Sequence, residues 1–179
     1  MPVQYYVASS LDGFIADAEG GLTWLTQFGF DSFQSGYDVF LGGVGALVMG
    51  ARTYEFILGE GDDAWQYGER PAWVVTSREL PSLPGARVTF TDDVTGALQD
   101  AREAAGDRNV WVVGGGAVAA QLADLELIDE LHLTYVPVVL GSGTPLLPLT
   151  QPTRPLALLG STVFENGAVE VVYSYHAAG

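Results

Sequence analysis

The sequence contains no cysteine and no lysine, and each absence excludes a class of chemistry. Without cysteine there are no disulfides, no thiolate metal sites and no cysteine nucleophiles. Two histidines are too few for a histidine-rich metal centre, so we expect no metal cofactor. Without lysine, seven arginines stand against 22 acidic residues, and the net charge is −15. A field of this sign repels nucleic acids and anionic membranes, so the expected partner is a small molecule.

The chain also lacks the segments that direct a protein to or across a membrane. The first basic residue is Arg52, so the N-terminus has no basic region typical of a secretory signal, and no apolar run approaches membrane-spanning length. We therefore expect a cytoplasmic protein. The 179 residues are 48% hydrophobic, which predicts one ordered domain over residues 1–179.

Short apolar runs followed by helical patterns predict an α/β fold. Buried strands are predicted at residues 3–8, 46–49, 72–75, 87–91 and 110–113. Residues 156–164 and 169–175 flank Asn166 and Gly167, a strong hairpin signal. The pattern predicts a mostly parallel twisted sheet with an antiparallel C-terminal hairpin.

Two further features have structural interpretations. Aromatic residues at positions 33, 37 and 40 have helical spacing, which is more typical of a core than of a ligand site, and Asp31 or Ser32 would cap that helix. His132 alternates with apolar residues in a predicted strand, so we expect a hydrogen-bonded or surface histidine rather than a catalyst.

Three predicted strands end in groups suited to binding phosphate. Residues 114–117 place three glycines before a helix start, where free backbone N–H groups can contact an anion, although a tight turn alone would need one or two glycines. Residues 50–53 provide glycine, arginine and threonine at a second helix start. Residues 76–78 provide two hydroxyls and an arginine, which suit a phosphomonoester.

The order and spacing of these segments resemble the dihydrofolate reductase superfamily, and most closely the reductase domain of riboflavin biosynthesis (the C-terminal domain of the bifunctional deaminase-reductase). The resemblance runs through nearly the whole chain. The matching segments are Ala8-Ser9-Ser10-Leu11-Asp12-Gly13-Phe14-Ile15-Ala16, Met49-Gly50-Ala51-Arg52-Thr53-Tyr54, Val75-Thr76-Ser77-Arg78, Gly114-Gly115-Gly116, Leu133-Thr134-Tyr135-Val136 and Gly143-Thr144-Pro145-Leu146. Each motif is modest, and their ordered set is fairly specific.

The resemblance implies a three-layer dihydrofolate reductase-like fold and an NADPH-dependent reductase of a pteridine- or pyrimidine-like heterocycle. The activity implied by the resemblance is similar to that of 5-amino-6-(5-phosphoribosylamino)uracil reductase of riboflavin biosynthesis. The implied cofactor-binding residues are Ala8, Ile15, Gly50, Arg52, Thr53, Thr76, Ser77, Arg78, Gly114, Gly115, Gly116 and Ala117. Within this set, the arginines and hydroxyls would meet the 2′-phosphate that distinguishes NADPH from NADH.

The resemblance also implies residues for catalysis and substrate binding. Asp12 would orient the substrate or relay a proton, and Thr134 would hold a polar edge of the substrate. The full expected substrate-binding set is Ser10, Asp31, Arg70 and Thr134.

The sequence departs from the superfamily pattern at several of these positions. Aligning on Trp24 places Gly29 where dihydrofolate reductases carry their catalytic carboxylate, with Asp31 two positions away. Arg70 falls near the arginine that holds the glutamate tail in that family, and it could equally lie in a solvated loop. Ala117 stands where a basic residue often follows the triple glycine.

The same motifs are compatible with different functions and with an assembly. Gly114, Gly116 and Ala119 fit a Rossmann fingerprint, but the next predicted strand does not end in the acidic residue that such a site needs. A true dihydrofolate reductase, or a non-catalytic nucleotide-binding or interaction protein on the same fold, would also carry these motifs. Related riboflavin-branch reductases commonly pair, and the apolar segment 146–149 could form part of a homodimer surface.

Overall fold

The computed structural model describes residues 1–175, so His176 lies outside the described residues. The strands are β1 (Val3–Ser10), β2 (Phe14–Ala16), β3 (Val44–Gly50), β4 (Ala72–Val75), β5 (Val88–Thr91), β6 (Asn109–Gly114), β7 (Glu130–Val136), β8 (Thr144–Pro145), β9 (Ala157–Val163) and β10 (Val169–Ser174). The helices are α1 (Thr23–Thr26), α2 (Asp31–Gly43), α3 (Ala51–Gly59), α4 (Val94–Ala105) and α5 (Gly116–Asp124).

Eight of these strands form one sheet in the order β5-β4-β3-β6-β1-β7-β10-β9. The pairs from β5 through to β7 are parallel, and β10 pairs antiparallel with both β7 and β9. The remaining two strands, β2 and β8, form a small antiparallel ribbon. The predicted α/β class, the mostly parallel sheet and the antiparallel C-terminal hairpin are therefore confirmed.

Helices cover both faces of the large sheet, because alternate strand residues point to opposite sides. Val3, Tyr5 and Val110 face a core formed with α4 and α5. Leu47 and Trp111 face a second core formed with α2 and α3. The result is a three-layer arrangement of helix, sheet and helix.

The helix α2 packs more loosely than the sequence pattern suggests. Its aromatic side chains Phe33, Tyr37 and Phe40 turn toward the sheet, but no α2 side chain is fully buried by the described chain. The helix begins at Asp31 with Phe30 at the N-cap, and no side chain among the described residues caps it. The expected Asp31 or Ser32 cap is therefore absent. By contrast, Asp93 caps α4 through the N–H groups of residues 95 and 96.

The apolar segment 146–149 is held against the rest of the molecule. Leu146, Leu147 and Leu149 are half-buried and pack on the core beneath α4 and α5. The hydroxyl of Tyr5 donates to the Leu146 carbonyl at 2.9 Å, which fixes the segment further. These leucines are therefore only partly exposed, and the homodimer expected from the resemblance stays a prediction.

Candidate functional site

Four parallel strands end side by side at the carboxyl edge of the sheet. In the order β4, β3, β6, β1, their last residues are Val75, Gly50, Gly114 and Ser10. Because these strands run in the same direction, the segments that follow them share one edge, which is where open α/β sheets bind ligands. The structure thus brings the three predicted phosphate-binding segments, 50–53, 76–78 and 114–117, to one edge.

Two of these segments touch through glycine backbone. Gly115 has φ of +91°, a left-handed conformation in which other residues are strained. A Cβ placed on Gly115 would lie 3.1 Å from the Cα of Gly50, so the helix starts of α3 and α5 are in van der Waals contact. Gly115 is therefore required by the tight turn between β6 and α5, which is the structural explanation for one of the three glycines.

The other two glycines are needed because neighbouring groups approach their Cα atoms. A Cβ on Gly114 would lie 2.7 Å from Oγ1 of Thr53, the helix α3 residue that was predicted to hold phosphate. A Cβ on Gly116 would overlap the backbone carbonyl of Pro145 in β8. The three glycines therefore let α3, α5 and the β2–β8 ribbon converge on one point.

The helix starts at this point have free N–H groups. Neither α3, which begins after Gly50, nor α5, which begins after Gly115, receives a side-chain cap from any residue that the structure describes. The first N–H groups of a helix lack intrahelical partners and carry partial positive charge. Two such helix starts lie in contact here, with Arg52 and Ala117 exposed in their first turns, and this geometry is suited to an anion.

An ion pair occupies the segment predicted to bind the 2′-phosphate. Arg78 donates to both carboxylate oxygens of Glu55 on α3, at 2.7 and 3.0 Å, and its backbone N–H donates to Oγ1 of Thr76 at 3.0 Å. This hydrogen bonding by Arg78, with a smaller contribution from Arg52, holds the pKa of the Glu55 carboxyl below its usual value. Ser77 is exposed beside the pair.

An open cleft continues from these residues toward the N-terminal loop. It is lined by Asp17, Ala18, Glu19, Gly20, Arg52, Glu55, Phe56, Gly143, Thr144 and Pro145. The last two predicted cofactor residues, Ala8 in β1 and Ile15 in β2, are half-buried. The fold places Ile15 in the β2–β8 ribbon that contacts α5, and Ala8 in the strand next to β6.

Asp12 and Ser10 are engaged in holding a turn. The Asp12 carboxylate accepts hydrogen bonds from Ser10 Oγ at 2.7 Å and from the N–H groups of Leu140 and Gly141 at 3.0 and 2.6 Å. These donors, led by Ser10, lower the pKa of Asp12 to about 2. Asp12 is therefore ionised at neutral pH, and its expected role in orienting the substrate or relaying a proton stays a prediction. Ser10 Oγ in turn accepts from the N–H of Phe14 at 3.0 Å.

Arg70, which was expected to bind substrate, is not available at this edge as a free group. The Arg70 guanidinium donates to the backbone carbonyls of Val44, Tyr67 and Leu41 at 2.9, 3.0 and 2.9 Å. Arg70 also precedes β4 and therefore lies at the amino edge of the sheet. Arg70 therefore does not have the predicted substrate role. Instead, its side chain ties the end of α2 to the start of β3. Asp31 is exposed at the first position of α2.

Thr134, the fourth expected substrate residue, lies in a row that the sequence did not reveal. Ala8, Thr134 and Glu170 are paired across β1, β7 and β10, so their side chains share the face covered by α2. Oγ1 of Thr134 is 3.5 Å from a carboxylate oxygen of Glu170. Burial, followed by the negative charge of Glu170, raises the pKa of the neighbouring Tyr6 hydroxyl. Glu170 was missed because its partner is 36 positions away; the only local signal was one acid within an apolar strand.

His132 is engaged in a hydrogen-bonded network on the same face. Its Nε2 lies 2.9 Å from an oxygen of Glu130, and that oxygen also accepts from Gln4 at 2.7 Å. The His132 ring packs against Tyr6 and Phe40. This environment agrees with the structural role expected for His132.

Two classes of site are absent from the described part of the chain. Residues 1–175 contain no group of three or more His, Cys, Asp and Glu side chains placed to hold a metal ion. None of the helices in those residues has the length and apolar character required to cross a bilayer.

The topology and the glycine-rich carboxyl edge define the class as a dihydrofolate reductase-like α/β protein. Comparison with solved structures agrees. A dihydrofolate reductase from Enterococcus faecalis, complexed with NADP(H) and RAB-propyl, superposes with a TM-score of 0.67 at 18% identity, covering 97% of this chain and 95% of that one. At this identity the likeness shows the fold alone.

The chain belongs to the RibD C-terminal domain family, whose model matches residues 2–169. A putative riboflavin biosynthesis protein from Shewanella sp. PV-4 has a TM-score of 0.83 at 28% identity and covers 97% of this chain and 98% of its own. The uncharacterized protein YwjB of Bacillus subtilis (strain 168) is 32% identical over 169 residues, 94% of each chain. The fold and family thus support a reductase-like role.

Proposed function

We propose that this protein is an NADPH-dependent reductase of a pteridine- or pyrimidine-like heterocycle, related in chemistry to 5-amino-6-(5-phosphoribosylamino)uracil reductase. The observation that carries the proposal is the contact between Gly50 and Gly115, which joins two uncapped helix starts. In a protein of net charge −15, an anionic cofactor needs a locally positive site, and two helix N-termini supply one without a metal or a lysine.

The residues around the glycine contact fit the parts of a dinucleotide phosphate. The first turns of α3 and α5 would hold the diphosphate through their N–H groups, with Thr53 beside them. Arg52, Thr76, Ser77 and Arg78 would meet the 2′-phosphate at the adjacent strand end. Ala8 and Ile15 would border the nicotinamide end, where small and apolar side chains leave room for a planar ring.

The reduction needs little covalent chemistry from this chain. NADPH would supply the hydride when it is bound, and water would supply the proton that completes the reduction. The protein residues position the heterocycle beside β1, where Thr134 offers a hydroxyl and Glu170 a carboxylate to its polar edge. The loop that lines the cleft is held in a turn by Asp17, whose carboxylate accepts from the N–H of Gly21 at 2.6 Å and of Glu19 at 3.1 Å. That loop would limit water in the site.

A charge placed at the start of α5 tests the proposal. Ala117 is exposed in the first turn, and an acid at that position favours the helix, so Ala117→Glu should fold normally. The new carboxylate would occupy the anion site and repel the diphosphate, and we expect NADPH to bind at least about tenfold more weakly. Ala104→Glu, the same change at an exposed α4 position, is the matched control.

Nucleotide binding can be followed by the fluorescence of the four tryptophans. The proposal expects quenching by NADPH in the wild type and in Ala104→Glu. A wild type that binds no nicotinamide nucleotide would refute the cofactor assignment and favour a different ligand or a non-enzymatic role. Equal NADPH affinity in Ala117→Glu would show that the nucleotide lies elsewhere.

A further inference from the structure

The seven arginines are distributed very unevenly over the molecule, and all of them lie within the described residues. Arg52 and Arg78 lie at the carboxyl edge, beside the proposed cofactor site. The other five are at or near the amino edge: Arg70, Arg87 and Arg108 precede strands β4, β5 and β6, Arg102 lies in the last turn of α4, and Arg154 pairs with Glu126 after α5.

Arg70, Arg102 and Arg154 are engaged in contacts at the amino edge. Arg70 donates to three backbone carbonyls, Arg102 donates to the Leu127 carbonyl at 3.4 Å, and Arg154 lies 3.3 Å from Glu126. The sequence has no lysine, and none of these arginine contacts involves Ala8, Thr134 or Glu170.

The same row carries negative charge and hydroxyl groups. Glu170 is half-buried, Thr134 is buried at 6% exposure, and the Tyr6 hydroxyl lies beside them. A carboxylate in such surroundings repels phosphate and accepts N–H groups, most strongly when two donors meet its two oxygens.

Aromatic side chains lie on the same face as this row. Tyr37 and Phe40 of α2 pack on this face of the sheet, and no α2 side chain is fully buried by the described residues. Tyr6 stacks on Phe40 with ring centroids 4.4 Å apart, and Tyr37 lies 6.5 Å from Tyr6. Aromatic faces at this position would pack against a planar heterocycle.

We propose that the substrate of this reductase is a heterocycle that carries no phosphate and presents paired N–H donors to Glu170. The inference rests on the proposed function and narrows it, because the related uracil reductase acts on a phosphoribosyl compound. Glu170 is then the residue that selects the substrate, and Thr134 is its hydroxyl partner.

The test uses the NADPH-saturated full chain and three probes. Uridine and uridine 5′-monophosphate differ only in the phosphate, and isocytosine offers adjacent ring and amino N–H groups. We expect uridine to bind at least as tightly as its monophosphate. We expect isocytosine to bind, and Glu170→Gln to weaken it at least about tenfold because the charge-assisted contact is lost. Glu103→Gln removes the same charge from an exposed position on α4 and should change nothing.

Separate outcomes identify which idea fails. NADPH affinity is measured first in each variant, and Glu170→Gln should leave it unchanged, which excludes a general folding defect. Tighter binding of the monophosphate than of uridine, or an isocytosine affinity that Glu170→Gln does not alter, would overturn the inference while leaving the reductase proposal intact. A wild type that binds no nicotinamide nucleotide would refute the proposed function and, with it, this inference.

Discussion

The ion pair between Glu55 and Arg78 gives a specific prediction about cofactor choice. Both Arg78 nitrogens that could meet a 2′-phosphate already donate to Glu55, at 2.7 and 3.0 Å. A phosphate must therefore displace a carboxylate before it gains the arginine. We predict that Glu55→Gln strengthens NADPH binding and leaves NADH binding unchanged, since NADH has no group at this position.

The expected change in NADPH affinity is set by two opposing contributions. A charge-assisted contact to phosphate typically changes affinity by about tenfold or more. Breaking an exposed bidentate ion pair first would lower that affinity by only about twofold to fivefold, because water screens both charges. Both side chains of this pair are well exposed, at 55% and 37%. We therefore expect Glu55→Gln to raise NADPH affinity by about twofold to fivefold, and Arg78→Ala to lower it by a similar factor.

The assay is a titration of both nucleotides against wild type, Glu55→Gln, Arg78→Ala and the double variant at one ionic strength. The effect of Glu55→Gln should disappear when Arg78 is already alanine, because the two residues act through one contact. Glu126→Gln breaks the other exposed arginine–glutamate pair, far from the cleft, and should have no effect. The reasoning is refuted if Glu55→Gln strengthens NADH and NADPH binding equally, or if its effect survives in the double variant.

Three further predictions concern the fold around the site. Asp12→Asn should lower the thermal midpoint of unfolding at pH 7. Because the pKa of Asp12 is depressed to about 2, the ionised carboxylate stabilises the fold at neutral pH, and this stabilisation is lost as the pH falls toward 2. The melting curves of the two proteins should therefore converge in acid. Gly115→Ala should reduce the free energy of unfolding by about 1–2 kcal/mol in urea titrations, since the φ of Gly115 is +91°. Gly36→Ala, in the exposed middle of α2, should instead increase the free energy of unfolding by about 0.5–1 kcal/mol. An equal response at both positions would contradict the geometry. Arg70→Ala should cost about 1–3 kcal/mol of stability by freeing three carbonyls, with NADPH and isocytosine affinities unchanged, and a selective loss of isocytosine binding would instead restore Arg70 as a substrate residue.

The cofactor edge could be predicted from sequence because its signals are local. Each phosphate-suited segment is a strand end followed within a few residues by glycine, hydroxyl or arginine, and such patterns survive without knowledge of the neighbouring strands. The position of Arg70 was also within reach, since a residue immediately before a parallel strand must lie at the amino edge. Its carbonyl partners, up to 29 positions away, were not predictable.

The substrate side depends on pairing that the sequence does not display. Glu170 reaches Thr134 only because β10 pairs antiparallel with β7 in a particular register, and a shift by one residue would turn Glu170 to the opposite face. Asp12 similarly acquires its role from N–H groups 128 and 129 positions away. Long-range register, rather than residue type, therefore decided which acids are available to a ligand.

A crystal structure of the wild type grown with NADPH tests the central claim most directly. The account predicts the diphosphate within hydrogen-bonding distance of the N–H groups at the starts of α3 and α5, the 2′-phosphate beside Arg52 and Arg78, and the nicotinamide next to Ala8. Density for the nucleotide at any other surface, with the contact between Gly50 and Gly115 left uncovered, would contradict it.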